Sequence, residues 1–277
     1  MNTRIRLAGA LAAVAAVVLL VMVFVVRPGG VGGPLQTPLP SASVSATSSQ
    51  ASSSTPAPSA SNLTSGQLCN ETSCLSGTLD PGTYSFDGGS ITPGRLTFTV
   101  PAGWTIDADG FLTKHAGAPG EVLFATWLVT HAYTDICHWE ATLADAGTTT
   151  DELARMLVAQ KGRVASAATD VTLAGFPAKR VELTVPADLD VTKCDRGIIR
   201  FWPDPGPDES GGLCCSAAGS TDVVYIVDVA GNRFTVIARH QRGSSAEDLA
   251  ELEAIVASIK IDLPATTPSP SGASPSP

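Results

Sequence analysis

His131, Asp135, Cys137 and His138 are the densest gathering of metal-type ligands in the chain. Positions 131, 135 and 137 would share one face of a strand, where alternate side chains point the same way. An imidazole, a carboxylate and a thiolate could then converge on zinc or copper. That chemistry needs the sulfur as a thiolate, which a disulfide removes, and no second spaced ligand pair accompanies the cluster. It is therefore expected to hold no metal, and nothing else in the sequence calls for a cofactor. Adjacent Cys214 and Cys215 offer a second chemistry, because a disulfide between neighbours closes a strained, easily reduced ring that could act as a redox switch. The alternative is that each reaches a distant partner, with Cys69 and Cys74 the obvious candidates.

Hydrolytic chemistry would need carboxylates assembled in space. Asp107, Asp109, Asp135, Asp188 and Asp190 could meet in a cleft as an acid–base pair, but acids of this spacing are expected to be solvated loop residues. Asp107-Ala108-Asp109-Gly110 opens like a calcium loop, yet no third acid and no bidentate Glu follow at the spacing such a loop requires. The sequence also contains no G-x-S-x-G, H-E-x-x-H, C-x-x-C, G-x-x-x-x-G-K or G-x-G-x-x-G. No catalytic or cofactor-binding residue is assigned, and an enzyme is the less favoured reading.

All six cysteines lie beyond residue 66, and in an exported chain pairing is their default state. Cys137 and Cys194 are each bracketed by polar turn residues beside an apolar, strand-like run, positions that suit a cross-link between loops. Their pairing is expected; the connectivity of Cys69, Cys74, Cys214 and Cys215 stays open among the alternatives that six cysteines allow.

These residues must be positioned by a globular segment spanning 67–263. Strand-like runs fall at 83–86, 95–100, 110–114, 122–129, 179–185, 198–202, 223–229 and 233–239, and Ala230-Gly231-Asn232 predicts a hairpin between the last two. Thr149 and Glu152 form a capping-box pattern that opens one helix, whose Leu153, Met156 and Leu157 share a face. A second opens at Ser244-Ser245-Ala246-Glu247, with Leu249, Leu252, Ile255, Val256 and Ile259 on one stripe. Runs of strands with two one-sided helices predict an α+β fold, a mainly antiparallel β-sheet with both amphipathic helices on one face.

The ends are different in kind. Residues 7–26, LAGALAAVAAVVLLVMVFVV, carry no charge over a length that spans a bilayer core of about 30 Å, so a transmembrane helix is expected. Val25-Val26-Arg27-Pro28 follows, without the small-residue site of a cleavable leader, and the helix is expected to stay attached as a signal-anchor. Arg4 and Arg6 against Arg27 place residues 1–6 in the cytoplasm and the remainder outside the cell membrane, a single-pass topology. Residues 28–66 form an uncharged Ser/Pro/Ala-rich stalk and 264–277 a tail of the same composition, both expected to be disordered. Setting aside Arg4, Arg6 and Arg27, the globular segment holds 14 basic against 26 acidic side chains. A net charge near −12 gives no counterion-release gain, so nucleic acid is not expected as a partner.

The segments LDPGTYSF, LTFTVPAGW, Asp135-Ile136-Cys137-His138-Trp139, GFPAKRVELTVP, Cys194-Asp195-Arg196-Gly197 and the closing AIVASIKI resemble uncharacterised secreted or membrane-anchored domains of high-GC bacteria. The Pro101-Ala102-Gly103-Trp104 strand end and the terminal helix are also similar to the Mog1/PsbP-like α+β fold. Neither resemblance implies an activity. The expectation is an extracytoplasmic module of the bacterial cell envelope that binds an envelope protein or small ligand without catalysis. An envelope hydrolase and a redox or metal-handling protein are the alternatives.

Overall fold

The computed structural model describes residues 65–70, 73–87, 94–203 and 217–263. The expected membrane helix, most of the stalk, the tail and the pair Cys214 and Cys215 lie outside the described residues.

Nine strands form the larger sheet. In spatial order they are Gly77–Thr78, Thr105–Ile106, Leu112–Lys114, Val122–Trp127, Asn232–His240, Thr221–Val229, Phe176–Thr184 and Val164–Ala165, with Thr169–Leu173 also paired to Phe176–Thr184. Every pairing in it is antiparallel. A smaller sheet runs Gln67–Cys69, Gly82–Asp87, Arg95–Val100, Lys260–Asp262, and its first pairing is parallel. His131–Tyr133 and Leu143–Asp145 make a short third ladder. The fold is thus mostly antiparallel sheet with two helices, α1 over Thr150–Ala159 and α2 over Ala246–Ala257.

The two helices do not share a face, contrary to the sequence expectation. Strand residues alternate between two cores: Phe234, Val236 and Ala238 join Leu252, Ile255 and Val256 of α2, whereas Ile237 joins Leu153 and Leu157 of α1. In the neighbouring strand Val227 and Val229 face the first core and Val224 and Ile226 the second. The central strands are therefore covered on both sides, which is why Val223-Val224-Tyr225-Ile226-Val227 is apolar without a break. The small sheet closes the first core through Leu96, Phe98 and Val100.

Local departures have local causes. The hairpin turn is made by Ala230 and Gly231, with φ of 53° and 84°, so Asn232 begins the next strand instead of supplying a turn angle. Thr149 and Glu152 form the capping box of α1, but α2 is capped by Ser245, whose Oγ accepts from Asp248 N, while Ser244 Oγ donates to the Gln241 and Gly120 carbonyls. Residues 198–202 are not a strand. Their backbone is held instead by Tyr133, Ile136 and the Gln160 amide, which donates to both Tyr133 O and Phe201 O.

Candidate functional site

Cys137 and Cys194 are joined by a disulfide, S–S 2.08 Å, across a sequence separation of 57. It ties the 131–139 segment to two short 3-10 turns, Val191–Lys193 and Asp195–Gly197. Around it the polar side chains serve the backbone. Asp135 Oδ1 accepts from Cys137 N and His138 N at 3.0 and 2.9 Å, and Asp195 Oδ2 accepts from Glu140 N at 3.0 Å. That backbone N–H, then His138, hold the Asp195 carboxyl below the usual range. Arg196 pairs with Glu140 at 2.7 Å, and the Arg196 and Arg200 guanidiniums lie over the Trp139 ring at 5.2 and 4.6 Å.

This arrangement removes the basis for a metal cluster. The strand containing His131 ends at Tyr133, so 131, 135 and 137 do not share a strand face. His131 is exposed beside Thr130 Oγ1, and His138 Nδ1 is 3.5 Å from Asp195 Oδ1. Among the described residues no three His, Cys, Asp or Glu side chains are grouped to hold a metal. The acids considered for hydrolysis are likewise spent locally. Asp107 Oδ1 accepts from Asp109 N and Phe111 N, Asp190 caps Thr192, and Asp109 and Asp188 are exposed turn residues. Hydrogen bonds and neighbouring cations hold the Glu152, Asp190, Asp195, Asp222 and Asp248 carboxyls below their ordinary values.

The cysteine framework also differs from one expectation. Cys69 and Cys74 are bonded to each other, so neither is a partner for Cys214 or Cys215. Gly110, at φ 84°, lies so close that a Cβ there would sit 3.2 Å from both sulfurs.

Two features went unnoticed in the sequence. The first is a buried ionic cluster in the second core. Asp222 Oδ1 accepts from Arg239 Nε at 2.6 Å and its Oδ2 from Arg163 Nη2. Arg163 lies 3.5 Å over the Phe201 ring and also donates to Gln160 Oε1. Burial, only partly offset by Asp222, pushes the Arg163 guanidinium down to about 10, while the two arginines hold the Asp222 carboxyl below its ordinary value. Hairpin register could have revealed half of this, since pairing outward from Ala230-Gly231 sets Asp222 opposite Arg239. Nothing in the sequence marks Arg163.

The second lies on the α1 side of the large sheet, beyond the strands that α1 covers. Leu112, Ile106 and Phe124 point into the first core, so the alternate residues Thr113, Thr105 and Leu123 face the other way, in register with Thr78. Beside them the half-buried rings of Phe111 and Trp127 stack, 5.7 Å apart and 3° from parallel. This half of the face carries hydroxyls and aromatic rings, and the next strand sets Arg239 opposite Leu123.

No family model matches the chain, and no curated protein does. Among solved structures it is similar to the cyanobacterial PsbP protein CyanoP of Synechocystis sp. PCC 6803, at 12% identity over 67% of this chain and 96% of that one, TM-score 0.33. It is also similar to LpqN of Mycobacterium tuberculosis, involved in cell envelope biogenesis, at 11% identity over 64% of this chain and 90% of that one, TM-score 0.34. The first is a PsbP protein, the group that the sequence resembles in fold. At these TM-scores neither likeness carries an argument about function.

Proposed function

We propose that the chain is a non-catalytic binding module of the cell envelope, carried outside the membrane on the stalk 28–66 and tethered by an uncleaved helix over 7–26. The observation that carries this reading is the contrast between two surfaces. Around the Cys137–Cys194 bond the ionisable groups hold loops, whereas Phe111, Trp127, Thr105 and Thr113 stand half-exposed on the sheet face beside the second core, the rings stacked, the two hydroxyls bonded to each other and none of the four in an ion pair. Aromatic rings on a rigid sheet supply contact area at little entropic cost, and they dominate the energetics of binding surfaces. The net negative charge of the segment turns that face toward neutral or cationic components of the envelope.

The experiment compares the purified chain with the double variant Phe111→Ser/Trp127→Ser in co-sedimentation with isolated envelope fractions. The variant is expected to lose about 10-fold or more in binding, the effect of removing two central aromatic contacts. Equal sedimentation of a folded variant would assign binding to another surface, and turnover of an envelope substrate by the wild type would replace the reading with the hydrolase alternative.

A further inference from the structure

The charge balance of the second core is incomplete. Asp222 is the carboxylate shared by Arg163 and Arg239, and neither arginine has another acidic partner among the described residues. Among the described residues one positive charge is therefore left over, where side-chain exposure is 0% for Arg163, 1% for Asp222 and 4% for Arg239. Buried charge of this kind is stable only when paired. The hydrogen bonding is incomplete in the same place. A guanidinium presents Nε and a terminal nitrogen as a fork that fits one carboxylate. Asp222 takes one prong of each fork, Arg239 Nε and Arg163 Nη2, and the other prongs, Arg239 Nη2 and Arg163 Nε, are buried without an acceptor. Ser220 Oγ, in the residue just before the strand that carries Asp222, and Trp202 Nε1, beside the Phe201 ring that Arg163 covers, are also buried and unpartnered. Unsatisfied donors around a surplus positive charge call for a group that only accepts and is negative.

We propose that Arg163 and Arg239 form a binding subsite for a small oxyanion, a carboxylate or phosphate group, which takes the two free prongs and completes the neutralisation that Asp222 begins. Arg239, at 4% side-chain exposure, is the least enclosed of the three side chains.

The test uses the full chain purified in detergent and exchanged out of chloride at constant ionic strength into acetate or, separately, phosphate. Two signals are followed: the Nε–H NMR resonances of Arg163 and Arg239, and the thermal midpoint. Saturable movement of both resonances with a rising midpoint is expected, because a ligand of the folded state stabilises it by mass action. Response to acetate alone identifies a carboxylate ligand, response to phosphate alone a phosphate group, and response to both a general oxyanion site. In Arg239→Gln the affinity should fall about 10-fold or more, the loss of a charge-assisted hydrogen bond. Arg239→Lys, which keeps charge but not the fork, should fall between. If neither anion moves the wild-type resonances, the unpartnered donors are met by water and the proposal fails. A response of equal affinity in Arg239→Gln means an adventitious ion only and also overturns it. Should that variant not fold, the wild-type resonances still decide.

Discussion

Asp222 shares its strand face with the buried Val224 and Ile226, and with Arg163 and Arg239 it forms a charged cluster inside the second core. Removing one member of such a set leaves the others uncompensated, so Asp222→Ala should lose about 3–5 kcal/mol in denaturant unfolding. Asp107→Ala, which removes an exposed turn cap, should lose about 1 kcal/mol or less. Acid should expose the same logic. The Thr149 and Thr148 backbone N–H groups bring Glu152 down to about 2, and Lys114, then Ser245, bring Asp248 down to about 2. A carboxylate depressed in the folded state binds its proton more readily when unfolded, so its contribution is complete above the ordinary values of 4.5 and 3.8 and disappears as the pH falls toward about 2. Urea midpoints across that window should fall steeply in the wild type and less steeply in Glu152→Gln/Asp248→Asn. At this scale the sequence shows which residues are chemically capable but not which are spent. Asp135 reads as a ligand until Cys137 N and His138 N are seen to occupy it, and Arg163 reads as surface because no periodicity links it to a strand 59 residues away.

Helix α1 depends on Arg233, a residue from the opposite end of the chain order. Its guanidinium donates to Ala146 O and Thr149 O at 3.0 and 2.9 Å and to Val129 O, joining the helix entry to the sheet. Thr149→Ala should lose about 1 kcal/mol, the worth of an ordinary N-cap, and Arg233→Met about 2–3 kcal/mol, because several charge-assisted bonds disappear together. Both can be read from denaturation midpoints. The two disulfides should differ in the same assay. By loop entropy the Cys137–Cys194 bond, separation 57, is worth about 4 kcal/mol and the Cys69–Cys74 bond, separation 5, about 2 kcal/mol. Serine pairs at each site should rank accordingly. Elements with strong local signals were legible: the Thr149 capping box, the α2 stripe, and the 95–100 strand with its alternating Leu96, Phe98 and Val100. The face that each helix covers was not, since two-sided burial is written in strands such as 223–227 and not in the helices that cover them. Residues 198–202 have strand composition but find their backbone partners in the Gln160 side-chain amide, the end of the 131–133 strand and Ile136, which composition does not report.

At the scale of the molecule, a nine-stranded sheet carries one core on each face, and the small four-stranded sheet closes one of them. The proposed stalk and tail have too little bulky apolar side chain to build a core, so removing residues 1–66 and 264–277 should leave the thermal midpoint within a few degrees; a large drop would mean that one of them docks on the domain. Protease treatment of intact cells should release a fragment near the size of 67–263 if the proposed orientation holds, and full protection would reverse it. The small sheet has a mechanical consequence as well. Its outer strands are the first and the last of the described chain, Gln67–Cys69 and Lys260–Asp262, so tension between the two ends is taken up first by this sheet. A pull arriving from the stalk meets a strand of three residues and then the Cys69–Cys74 bond, which passes the force straight to Cys74. The intervening residues cannot pay out as slack, so a tug that strips the edge strand is handed at once to Gly77–Thr78, a strand of the large sheet.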